Sequence, residues 1–124
     1  MSAEQRPALF GSVVEFVEGY LTLVYRRDID THAWCPEWWQ HAEAVVRLDA
    51  LWRAWEHHRL RENTGLSMWF LDHADPHMGV LFSLDGPFSG CSVRIGHSAK
   101  VPPLSLKAPP LPDLFRSPTL TRDD

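Results

Sequence analysis

From Ser12 onward, Val13, Phe16, Val17, Tyr20 and Val24 fall at the spacing of one helix face. Ser12 with Glu15 three residues later matches a capping box, and the pattern predicts a helix over 12–27. A stronger pattern over 41–62 puts Val45, Leu48, Leu51, Trp52 and Trp55 on one stripe. The opposite face pairs Glu43 with Arg47 and Asp49 with Arg53, acid first at i,i+4. Asn63-Thr64-Gly65 predicts the stop, with Gly65 suited to a left-handed cap. Two apolar runs follow, 66–71 and 78–83, separated by the turn-rich stretch Asp72-His73-Ala74-Asp75-Pro76-His77. Together they predict a β-hairpin, and 91–95 a short third strand. The expected fold is therefore α+β, two main helices packed on a small antiparallel sheet.

The ends differ in character from this middle. Residues 1–11 are polar, carry Pro7 and Gly11, and predict a flexible leader. Residues 12–100 predict a single globular domain, and 101–124 an extended tail holding six of the ten prolines. Such a segment cannot enter a helix or a sheet interior. Its apolar anchors, Leu111, Leu114 and Phe115, suit docking on a protein partner. The formal charge of -4 lacks the basic footprint of direct nucleic-acid binding. No apolar run reaches the ~20 residues of a membrane span, and the opening residues lack a secretory h-region, so the expected location is cytoplasmic.

All six tryptophans lie between Trp34 and Trp69. In an acidic chain they predict core packing rather than a base-stacking surface. Of the adjacent pair Trp38 and Trp39, one is expected to face solvent.

The candidate chemistry is a metal site. Cys35, His41, His73, His77 and Cys91 supply the thiolate and imidazole donors that zinc takes in sets of four. Their pairs, Cys35-x5-His41 and His73-x3-His77, match no standard finger. Asp72 and Asp75 could orient the ligating imidazoles. Other readings stay open. The cysteines could be small core residues or a disulfide, and a cysteine with His73 and Asp72 or Asp75 could form a nucleophilic set. The same carboxylates beside a zinc with an open position could support hydrolysis.

The segments Trp34-Cys35-Pro36-Glu37-Trp38-Trp39-Gln40-His41, Asp72-His73-Ala74-Asp75-Pro76-His77-Met78 and Gly86-Pro87-Phe88-Ser89-Gly90-Cys91 carry a resemblance. Over about residues 12–92 the chain resembles an uncharacterised actinobacterial family catalogued only as a domain of unknown function. Family members often carry proline at the position of Ala42. The family is associated with plasmids, phages and integrative elements, near DNA-transfer components. The resemblance implies an accessory role in a mobile element and no particular reaction. The expected function is thus a non-enzymatic cytosolic accessory or adaptor protein with a structural zinc. The alternative is a small metal-dependent hydrolase acting near nucleic acid.

Overall fold

Ser12 caps the first helix, its hydroxyl accepting from the Glu15 amide at 3.2 Å while the Glu15 carboxylate accepts from the Gly11 amide. This is the first of three helices in the computed structural model, which describes residues 6–105. Helix α1 covers 13–24 as an α turn Val13–Phe16, a π turn Val17–Leu21 and a last turn Thr22–Val24. A short 3-10 turn, Trp38–Gln40, leads into α2, Ala42–His58. Helix α3 covers 65–82 as Gly65–Trp69, a π turn Phe70–Ala74 and Asp75–Phe82.

The expected sheet is not there. The runs 66–71 and 78–83 and the stretch between them are one helix, and the described residues contain no strand. The buried residues of α3 explain why. Gly65, Trp69, Ala74, Met78 and Leu81 follow one another at steps of four, five, four and three. That is helical spacing with one extra residue, and the π turn absorbs it. Without that turn, Ala74 would rotate off the face that Trp69 buries. Pro76 lies just beyond the π turn, at the start of the final α segment. A widened turn tolerates its missing N–H and the bulk of its ring better than a regular one. In α1, Phe16 and Leu21 are both fully buried five residues apart, again across a π turn. The third strand is also absent. Residues 91–97 form a tight loop in which Ser92 and Gly96 exchange backbone hydrogen bonds of 3.1 and 2.7 Å.

The three helices meet on aromatic rings. Trp55 of α2 lies 5.6 Å from Phe16 and 4.9 Å from Tyr20, centroid to centroid. Trp69 of α3 stands edge-on to Phe16 at 6.2 Å, and its indole N–H donates to the Leu51 carbonyl at 3.0 Å. The α2 stripe buries Leu48, Leu51 and Trp55, with Val45 and Trp52 half-buried. Glu43–Arg47 and Asp49–Arg53 form ion pairs on its exposed side. Trp38 is buried and donates to Glu18 of α1 at 2.8 Å, whereas Trp39 is 53% exposed. The left-handed residue after α2 is Asn63 (φ 67°) rather than Gly65. Gly65 instead opens α3 hard against the His58 carbonyl, where a Cβ would collide.

Part of the expected leader is held in place. The Leu9 and Phe10 amides donate to the two Glu56 carboxylate oxygens at 2.8 and 2.9 Å, and the Phe10 ring packs 5.4 Å from Trp55. Arg59 bonds Glu56 at 2.7 Å and the Pro7 carbonyl at 3.0 Å. Burial alone would raise the Glu56 pKa. The bonds from Phe10, Leu9, Arg59 and Trp52 outweigh it, and the carboxyl is held below its ordinary value.

Two outcomes follow from this packing. Trp69→Ala removes a fully buried ring and should cost about 3–5 kcal/mol in urea unfolding, whereas Val46→Ala, 69% exposed, should change stability by less than about 0.5 kcal/mol. For Glu56, a depressed folded pKa means stability present above the unfolded value and lost as pH falls through the folded one. Urea midpoints should therefore drop between pH 7 and pH 3, and the drop should be smaller in Glu56→Gln. An equal drop in both proteins would show that Glu56 does not carry the acid sensitivity.

Candidate metal centre

Two segments without helix or strand converge at the start of α2. The first runs from Ala33, whose amide donates to the Phe82 carbonyl at 2.8 Å, through Cys35 and Pro36 to the 3-10 turn. It presents Cys35 inward and ends at His41, the residue preceding the first turn of α2. The second is the loop after Phe88. Gly90 takes φ +88° and Gly96 φ +105°, conformations that glycine adopts without strain. Between them the chain reverses, and Cys91 and His97 point to the same spot.

Cys35, His41, Cys91 and His97 bring one donor atom each within 4.8 Å of one another. Each cysteine faces the histidine of the other segment. Cys35 Sγ lies 3.2 Å from His97 Nδ1, and Cys91 Sγ lies 3.5 Å from His41 Nε2. Zinc bonds of about 2.0–2.3 Å in a tetrahedron put neighbouring donors about 3.3–3.8 Å apart. The four side chains are thus close to the geometry of a Cys2His2 centre and can hold a metal ion such as zinc. Both cysteines are buried and both histidines half-buried. Phe88, fully buried, stands edge-on to His41 at 5.0 Å.

The surroundings suit ligation. The Pro87 carbonyl accepts a hydrogen bond from the His41 ring. Since Nε2 faces Cys91, that bond leaves Nε2 with its lone pair toward the site. The Ser98 amide donates to Cys91 Sγ at 3.1 Å, and the Glu37 amide donates to Cys35. Amide donors of this kind stabilise a thiolate. Burial pushes the Cys35 thiol up to about 12; the Glu37 bond pulls it down and the neighbouring Cys91 raises it again. Burial, then the charge of His97, holds His41 below its ordinary value, against the Pro87 bond. A neutral imidazole is the form that binds metal.

His73 and His77 lie elsewhere, because the helix that replaces the hairpin carries them along α3. His73 Nε2 sits 3.2 Å from His58 Nε2, and His77 Nδ1 accepts from Arg47 at 2.9 Å. Burial and the Arg47 charge lower the His77 pKa, consistent with its accepting that bond. Asp75 accepts from the Tyr25 hydroxyl at 2.7 Å, and Asp72 acts electrostatically on His58. Neither orients a histidine of the cluster. The anchors Leu111, Leu114 and Phe115 fall outside the described residues.

The sequence reading did not include His97. The signal was present, since Cys91-x5-His97 repeats the spacing of Cys35-x5-His41. The strand expected over 91–95 would carry the chain straight past the site, whereas the observed loop turns His97 back onto it.

The fold and site define a class, a small three-helix domain whose two irregular loops meet in a Cys2His2 cluster. A family model described as Domain of unknown function (DUF4913) matches residues 10–110, and the chain belongs to that family. No curated protein and no solved structure matches it. Among the described residues, no helix is long and apolar enough to cross a membrane.

The metal-free folded protein should resist alkylation at Cys35. Burial pushes its pKa from 9.0 up to about 12, which depletes the reactive thiolate at pH 8. Iodoacetamide labelling followed by mass spectrometry should find Cys35 modified many times more slowly than in the unfolded chain. Comparable rates in the two states would mean that Cys35 is not buried as described.

Proposed function

We propose that this chain is a non-enzymatic accessory or adaptor domain held together by one structural zinc on Cys35, His41, Cys91 and His97. One observation carries the proposal. Two C-x5-H segments, some fifty residues apart in sequence, bring four zinc-type donors within 4.8 Å. Residues 25–41 and 83–105 contain little regular structure. Their backbone groups are not held in ladders, so a shared ion would tie both to α2. Four protein donors complete a tetrahedral set, as in structural sites, whereas catalytic zinc keeps a position open. Asp72 and Asp75, the carboxylates a hydrolase would need, are engaged away from the cluster. Both features favour the adaptor over the hydrolase. The resemblance to an actinobacterial mobile-element family supports a cytoplasmic role beside DNA-transfer components, with a protein partner rather than nucleic acid. The charge of -4 agrees with that choice.

The test is metal content and stability of protein purified without an affinity metal column. One zinc per chain is expected. Cys35→Ser, Cys91→Ser, His41→Ala and His97→Ala should each lose it, whereas His73→Ala and His77→Ala should keep it. A chelator should lower stability by about 4 kcal/mol if free zinc stands at 1,000 times its Kd. Retention of zinc by the His97→Ala and Cys91→Ser variants, or no bound metal in the natural protein, would sink the proposal.

A further inference from the structure

Beside the metal centre, on the side facing α1 and the end of α3, lies a cavity of about 330 Å³. Its walls include Leu21, Tyr25, Trp34, Met78 and Phe82, and Val93 of the 83–105 stretch closes one edge. The volume falls in the range of ligand pockets, and the lining is aromatic and aliphatic. Its charges are not equivalent. Glu18, the one carboxylate in its lining, accepts from the Trp38 indole, and Asp75 of the adjoining pocket accepts from the Tyr25 hydroxyl, so both already have donors. Arg27 spreads its guanidinium over the Tyr25 and Phe82 rings, 5.2 and 5.5 Å from their centroids, with one N–H on the Arg26 carbonyl. Among the described residues it forms no ion pair with a carboxylate. A cation over an aromatic floor at the mouth of an apolar cavity suits an apolar segment bearing one carboxylate.

We propose that this groove is a docking site for the chain's own segment 109–115, Pro-Pro-Leu-Pro-Asp-Leu-Phe, with Leu111, Leu114 and Phe115 against the rings and Asp113 on Arg27. The segment carries the two properties that the groove asks for, since Asp113 is the one acid between residues 86 and 122 and stands among the apolar anchors. Aromatic-lined grooves are the usual receptors of proline-rich segments, whose backbone is already extended and loses little entropy on binding. Reach is adequate. From Ser105, Leu111 is six residues on and Phe115 ten, or about 19 and 31 Å at about 3.1 Å per residue. A domain of this size has a radius of gyration of about 13 Å. Tethering gives an effective concentration in the millimolar range, so even a weak site is substantially filled in cis. None of the four residues of the Cys2His2 cluster lines the groove, and the inference does not depend on an ion being bound there.

Nuclear Overhauser spectroscopy on the labelled full chain tests it. Contacts are expected from the Leu111 and Leu114 methyls and the Phe115 ring to the rings of Tyr25, Trp34 and Phe82. Leu111→Ser with Phe115→Ser should abolish them while the amide signals of α2 stay unchanged, which reports an intact fold. Arg27→Glu should lower the docked-to-free ratio by about fivefold, the weight of one rim ion pair. Adding Asp113→Lys should restore it. Absence of these contacts in the natural chain, or failure of the charge swap to restore them, overturns the proposal. So does their appearance only in a dimer that dissociates on dilution, which would give the groove to a second copy.

Discussion

The aromatic contact among Phe16, Trp55 and Trp69 sets the register of all three helices. Each ring comes from a different helix, and each is buried to within 5% of complete. Helix propensity alone is too weak to position segments of this length, so packing decides where each helix faces. The π turn of α3 falls where an uninterrupted α-helix would turn a core residue outward, between Trp69 and Ala74, and that of α1 lies among the fully buried Phe16, Val17 and Leu21. Their hydrogen bonding is poorer than an α turn's, and the rings they keep inside offset that cost. The Leu51 carbonyl accepting from Trp69, and the Glu56 carboxylate gripping the segment at Leu9 and Phe10, are consequences of the same alignment.

The helices leave two long loops to be fixed by other means. They are held by one backbone bond to α3, from the Ala33 amide to the Phe82 carbonyl at 2.8 Å, and by side chains, Trp34 on Phe88 at 5.1 Å and Trp38 on Glu18. The Cys2His2 cluster lies where these loops cross the entry to α2. The pairing is reciprocal, each cysteine lying against the other loop's histidine, so neither loop could shift without opening the cluster. An ion there would act on the same loops that wall the aromatic groove, since Trp34 and Val93 stand next to the two ligand segments. Stability and surface shape are therefore coupled through one small region.

Much of the fold was legible where a single period dominates. Ser12 and Glu15 marked the start of α1, and the α2 stripe, its ion pairs and the exposure of one of Trp38 and Trp39 could all be read from spacing. Helix α3 could not, because 66–71 and 78–83 are apolar but for Ser67 and Ser83, and runs with so few polar positions carry no clear period. Pro76 and the polar residues between them then looked like a turn. In the site, Cys35, His41 and Cys91 were accessible from their chemistry, and the repeated C-x5-H spacing held the fourth donor. The sequence determined which donor types the chain owns and which helix faces are apolar, since both are properties of neighbouring residues. Only the tertiary structure decided that His97 rather than His73 or His77 completes the cluster. That choice depends on the π turn of α3 and on the reversal between Gly90 and Gly96. The first is held by packing against other helices, and the second, though closed by local Ser92–Gly96 bonds, meets Cys35 and His41 fifty or more residues away, which local spacing does not encode.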